Sequence, residues 1–145
     1  MCIRDRSNGY LGFTSFISWP VMLENNAFGK IGTRRGATNL GAGSVEYLRH
    51  ISVSRLFMSN IDHIQASWPT MGLNVAQIAL TAGADDIGST MMEENVVSAS
   101  GTTKTMATIS ELKESILSCG FTPARRDSDY HILEILKEDQ AQLKI

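Results

Sequence analysis

At 145 residues, 43% of them hydrophobic and 19% charged, the chain has the composition of a globular protein with one modest core. A formal charge of -2 and only two basic doublets, Arg34-Arg35 and Arg125-Arg126, argue against nucleic acid or an anionic membrane as partner, because either needs a basic stripe. No stretch approaches the roughly 18 uninterrupted apolar residues of a membrane span and the N-terminus lacks the order of a signal peptide, so a cytoplasmic location is the default expectation.

Taken in chain order, Met1-Cys2-Ile3-Arg4-Asp5-Arg6 reads as a translated sequencing-library adapter rather than native protein. On that reading residues 7–145 are the native portion, and the native protein begins upstream of Ser7. Cys2 falls within the scar. Cys119 is then the one native cysteine, which excludes a disulfide framework or a cysteine metal site within this chain.

A first strand is predicted over 11–19, where Phe13, Phe16 and Ile17 sit among small polar residues and Pro20 ends the run. The glycine-rich stretch from Glu24 to Ser44 reads as a long connection. Ser44 is the expected cap of a helix with Val45, Leu48, Ile51 and Leu56 at approximate helical spacing. A second strand is predicted over 61–68, with Ile64, Ala66 and Trp68 alternating against Gln65 and Ser67 and Pro69 closing it. Val75, Ile78, Ala79 and Ala82 then mark a helix, with Gly83 as its left-handed C-terminal cap. A third short strand is predicted over 86–90. The capping box Thr108-Ile109-Ser110-Glu111 opens a helix that stops at Gly120, and a final helix is predicted over 130–143. Strand then helix, three times over, predicts an α/β fold with parallel strands. Three such units are too few for an eight-stranded barrel, which needs about 250 residues, so they form the closing portion of one or a small open sheet. Standing alone, three parallel apolar strands would expose two unpaired edges, so residues 7–145 are expected to be poorly soluble or molten in isolation.

In a parallel sheet the functional face lies at the C-terminal strand ends. Ser18, Trp19, Gln65, Ser67, Trp68, Glu93, Glu94 and Asn95 fall there, whereas Asp62, His63, Asp85 and Asp86 fall at strand beginnings, where stability is the usual business. Glu93, Glu94 and Asn95 have the chemistry to orient sugar hydroxyls or take up a proton, although glutamates at a helix start also stabilise the helix dipole without any ligand. Trp19 and Trp68 suit stacking on an aromatic ring or packing in the core. The three histidines share no metal-ligand spacing.

Three blocks are more specific than any pattern. They are Gly12-Phe13-Thr14-Ser15-Phe16-Ile17-Ser18-Trp19-Pro20; Ile64-Gln65-Ala66-Ser67-Trp68 with the run from Gly83 to Gly101; and Phe121-Thr122-Pro123-Ala124-Arg125-Arg126-Asp127. In this order they resemble the C-terminal region of the cyclic dehypoxanthinyl futalosine synthase family, radical S-adenosylmethionine (SAM) enzymes of menaquinone biosynthesis. Glu93-Glu94-Asn95-Val96-Val97 is the most specific run, while Val21-Met22-Leu23-Glu24 departs from the family pattern. The sister families, aminofutalosine synthases and deazaflavin-precursor synthases, share the outline.

The resemblance implies a partial (βα)8 TIM barrel of radical SAM type, strands six to eight plus C-terminal helices. It also implies a 4Fe–4S cluster and SAM in the complete enzyme, the cluster being bound by a Cys-x3-Cys-x2-Cys motif that this chain does not contain. The implied reaction converts dehypoxanthine futalosine to its cyclic product, and the fragment alone is expected to be inactive. Implied partners are a nucleoside-derived small molecule, an external electron donor and the N-terminal part of the same polypeptide. Carried onto this sequence, Ser18 and Trp19 are expected near SAM or substrate, as cofactor-binding residues first, and Gln65, Ser67, Trp68, Glu93, Glu94 and Asn95 on the substrate side. A free-standing α/β binding module without catalysis is the alternative of another class.

Overall fold

The computed structural model describes residues 12–21, 23, 42–90 and 106–136. Its organising element is strand β2 (His63–Gln65), a stretch in which alternate side chains face opposite ways. Ile64 is fully buried and joins the helix residues Tyr47, Ile51, Ala79 and Leu112 in one apolar cluster. His63 and Gln65 therefore face away from the helices.

Strand β1 (Ser15–Ile17) pairs with β2 in parallel, Ser15 opposite His63, Phe16 opposite Ile64 and Ile17 opposite Gln65. On the other side of β2, Asp86 makes an isolated parallel bridge to Gln65. It is held by Ala66 N–H to the Asp86 carbonyl at 2.8 Å and Asp85 N–H to the Ile64 carbonyl at 3.0 Å. The strands are shorter than the sequence suggests, and the third is reduced to that bridge. Gly88 explains the reduction. Its φ of +85° breaks the extended run, and its N–H is taken by the Asp86 carboxylate rather than by a neighbouring strand. Likewise Trp68 does not end β2 but opens the short helix α2 (Trp68–Met71), where Pro69 stands in the first turn, a place that needs no N–H.

Helix α1 (Ser44–Phe57) turns Tyr47, Ile51 and Ser54 to the core at i, i+4 and i+7. Val45 and Leu56, expected on that face, are exposed, and the N-cap is Gly43 rather than Ser44. Helix α3 (Leu73–Thr81) packs on α1 and on α4 (Ile109–Leu117) through Ala76, Ala79 and Leu80; Ile78 points outward. The capping box at Thr108 and Glu111 forms in full.

Beyond α4 the chain forms an antiparallel hairpin of β3 (Ala124–Arg126) and β4 (Ile132–Ile135), with an irregularity between Arg125 and Arg126. This corrects the helix expected from residue 130. Tyr130 adopts φ +67°, and the Asp127 carboxylate accepts the N–H groups of Asp129 and His131 at 2.9 Å each, closing a turn. The residues after it, Ile132, Leu133 and Ile135, favour a strand. The architecture of the described residues is thus mixed α/β. None of their helices is long and apolar enough to cross a membrane.

Candidate functional site

Because β1 and β2 run parallel in this register, the residues that follow them leave the sheet at the same end. Ser18 and Trp19 come after Ile17, which stands opposite Gln65, and Ser67 and Trp68 follow two residues further on. Ser18 is half-buried and Trp19 is 59% exposed. The structure therefore brings five of the eight candidate residues to one strand end. Glu93, Glu94 and Asn95 lie outside the described residues. The chain departs toward them after Thr90, whose carbonyl accepts the N–H of Ala107 at 3.1 Å.

The residues that follow β2 are held firmly. Ser67 is buried; its N–H donates to the Tyr47 hydroxyl at 2.7 Å, and its Oγ lies 2.7 Å from the Thr70 hydroxyl. Burial pushes the Tyr47 phenol above its ordinary value, partly countered by the Ser67 N–H. The side chain of Trp68 is buried in the core, and its indole N–H donates to the Ser89 carbonyl at 2.9 Å. Trp68 thus tethers the segment that leads toward 93–95 and offers no open ring face among the described residues.

Gln65 keeps company that the sequence reading had set aside. Asp86, placed by that reading at a strand beginning, bridges Gln65 instead, and both meet Arg126 from β3. The guanidinium Nε donates to the Asp86 carboxylate, Nη1 to the Asp127 carbonyl at 2.9 Å, and Nη2 lies 3.5 Å from Gln65 Oε1. Burial pulls the Arg126 ionisation down, but the hydrogen bond and charge of Asp86, with smaller help from Tyr130 and Asp127, more than offset it and hold it above the ordinary value. The guanidinium carbon lies over the Tyr130 ring, 3.9 Å from its centre. Tyr130 in turn stacks on His63, 4.0 Å between centroids and 9° from parallel. His63 Nδ1 and Arg55 both meet Asp85, whose carboxylate also accepts the Ile64 N–H at 2.7 Å. Only a signal joining the Asp85-Asp86 pair to Arg126, 40 residues away, could have revealed this set from sequence.

An open cavity of about 800 Å³ lies between the Asp85–Thr90 segment, α4 and the hairpin. It shares His63, Asp85, Asp86, Arg126 and Tyr130 with the network around Gln65, while Ser18, Trp19, Gln65, Ser67 and Trp68 do not line it. The strand end and this cavity thus meet at the Asp86–Arg126 pair. Among the described residues no group of three or more His, Cys, Asp or Glu could hold a metal ion, and the Cys119 thiol is turned to the Gln77 carbonyl at 3.3 Å. These residues do not fit an iron–sulfur cluster.

The family model of the CofH/MqnC C-terminal region matches residues 10–139. The cyclic dehypoxanthine futalosine synthase of Halalkalibacterium halodurans is 38% identical over 98% of this chain and 36% of its own length. The enzyme of the same name from Streptomyces coelicolor is 40% identical over 96% of this chain and 32% of its own length. A 5-amino-6-(D-ribitylamino)uracil–L-tyrosine 4-hydroxyphenyl transferase of Archaeoglobus fulgidus is 37% identical over 85% of this chain and 34% of its own length. The chain spans about a third of the length of these relatives.

Proposed function

The chain belongs to the family of CofH/MqnC C-terminal regions, and on that premise we propose that it is the closing portion of a radical SAM cyclase that converts dehypoxanthine futalosine to its cyclic product in menaquinone biosynthesis. The observation that carries this reading is the match to two cyclic dehypoxanthine futalosine synthases over 98% and 96% of the chain. In this proposal residues 7–145 supply strands six to eight of a (βα)8 barrel. The parallel order of β1, β2 and the Asp86 bridge supports it. The edge beyond Asp86, which carries no further strand among the described residues, is where the remaining polypeptide would continue the ring.

The SAM and cluster chemistry is assigned to the part of the enzyme that this chain does not span, since the described residues do not fit the cluster. The share of this chain is to bind and orient. Ser18 and Trp19 are proposed beside SAM, and Gln65 toward the nucleoside-derived substrate, with Ser67 on the same side behind it, buried and tied to Tyr47 and Thr70. Trp68 acts on the same side from the core through Ser89, and Glu93, Glu94 and Asn95 are proposed toward ribose or carboxylate groups.

The test is a chimera in which this chain replaces the matching third of the Halalkalibacterium halodurans synthase. Cyclic product from dehypoxanthine futalosine is expected, together with loss of turnover in Glu93→Gln or Glu94→Gln. Unchanged turnover in both variants would remove the glutamates from the site. The 37% identity to the Archaeoglobus transferase favours one second reading, a deazaflavin-precursor synthase. Product formed by the chimera from 5-amino-6-(D-ribitylamino)uracil and L-tyrosine, and none from dehypoxanthine futalosine, would establish it instead.

A further inference from the structure

The Arg126 guanidinium has every nitrogen engaged and its face covered, an arrangement that leaves the side chain little freedom. Nε serves Asp86, Nη1 the Asp127 carbonyl, Nη2 approaches Gln65 Oε1, and the plane rests on Tyr130. The Asp86 carboxylate that anchors it is itself nearly buried, with 9% side-chain exposure. Tyr130 is fixed in turn by its stack on His63. His63 and Gln65 are two apart on one strand and share a face, so the hairpin is fastened to β2 at two successive positions of that face.

The Gln65 carboxamide is confined from the other side too. A Cβ at Gly88 would stand 2.7 Å from Gln65 Nε2, so the glycine leaves room for the amide NH2 while Arg126 faces the amide oxygen. A carboxamide whose oxygen is taken by a cation presents its NH2 as a donor.

We propose that Arg126 is a positioning residue: it holds the Gln65 carboxamide with its NH2 free to donate to an acceptor oxygen of the substrate, a carbonyl, hydroxyl or carboxylate. This rests on the proposed placing of Gln65 at the substrate. Lysine at position 126 keeps the charge and can still reach Asp86, but a single ammonium group cannot serve Asp86, the Asp127 carbonyl and Gln65 from one planar fork.

The experiment is a kinetic cycle in the full-length chimera with dehypoxanthine futalosine as substrate, using Gln65→Ala, Arg126→Lys and the double variant, with far-UV circular dichroism to establish folding. Loss of one oriented hydrogen bond predicts a KM raised by roughly 3–10-fold in each single variant, with kcat little changed, and no further rise in the double variant. A role confined to folding would instead act on both backgrounds alike. If Gln65→Ala raises KM but Arg126→Lys has the same effect with and without Gln65, the positioning role is overturned while the placing of Gln65 stands. If Gln65→Ala leaves KM and kcat unchanged, the placing of Gln65 fails and the proposal with it. Should Arg126→Lys not fold, Tyr130→Leu, which removes the ring beneath the guanidinium, is put through the same comparison and read in the same way.

Discussion

Replacing Trp68 by phenylalanine separates a tryptophan that works from the core from one that works at a surface. The indole is buried and donates to the Ser89 carbonyl at 2.9 Å. Phenylalanine keeps one ring and loses the donor, so two costs combine. The hydrogen bond contributes about 1 kcal/mol, its ordinary net value, because Ser89 is exposed and its carbonyl can be rehydrated. The vacated volume, roughly 40 Å³ at about 24 cal/mol per Å³, adds about 1 kcal/mol. Trp68→Phe should therefore destabilise the full-length chimera by about 2 kcal/mol, and Trp68→Ala by about 3–5 kcal/mol. Trp19, 59% exposed, provides the contrast: Trp19→Phe should stay within about 0.5 kcal/mol of the parent. Urea unfolding followed by far-UV circular dichroism measures all three. A Trp68→Phe protein as stable as Trp19→Phe would refute the reasoning, since neither the buried volume nor the bond to Ser89 would then matter.

Gly83→Ala should cost about 1–3 kcal/mol, because the position has φ +122° and a Cβ there would stand 2.9 Å from Arg55 Cβ; an unchanged urea midpoint would count against this close approach. Thr108→Ala should lose about 1 kcal/mol by opening the capping box, with faster amide exchange at Glu111, and Thr108→Ser should restore both. The Asp127 carboxyl lies below its ordinary value, chiefly because it accepts the backbone N–H of His131; desolvation opposes this, and the His131 ring and the Asp129 N–H add lesser lowering contributions. The folded hairpin thus binds fewer protons than the unfolded chain at acid pH, so its stability is present above the unfolded aspartate value, about 3.9, and falls as pH drops through the lower folded value. The amide signals of Asp129 and His131 should report that loss, and Asp127→Asn should abolish the acid dependence; persistence of the dependence in this variant would place its origin elsewhere.

What was legible in the sequence was legible where one local cause sufficed. The capping box needs only Thr108 and Glu111 three residues apart, and it formed as read. The burial of Ile64 and Ala66 followed from alternation about Gln65; beyond them the pattern ends, since Ser67 and Trp68 are both buried where the chain turns into a helix. The hidden features depend on distant partners. The buried stripe of α1 runs through Tyr47 because its hydroxyl meets the Ser67 N–H, a contact that hydrophobic spacing does not register. The hairpin was hidden for a similar reason: its turn is made by the Asp127 carboxylate and a left-handed Tyr130, neither of which interrupts an apolar pattern. At the site, position along the strands brought Ser18, Trp19, Gln65, Ser67 and Trp68 into view, but assigned Asp86 to the wrong end. The bridge to Gln65 corrects that.

Adjacent residues of the Gly83–Gly88 block serve different neighbours. Gly83 admits the stem of Arg55, whose Nε then donates to the Gly83 carbonyl at 2.7 Å. Ala84 and Ile87 are buried in the core. Asp85 collects Arg55, His63 and the Ile64 N–H, joining helix to strand, whereas Asp86 turns to Arg126 and so joins strand to hairpin. Gly88 leaves space for the Gln65 amide. A methyl group at either glycine, or an amide at either aspartate, would disturb a different contact. This part of the resembling run is therefore constrained first by packing around β2. In the proposed placing of Gln65 at the substrate, the bearing of this segment on a ligand passes through the Gln65 carboxamide, which Gly88 and Arg126 flank.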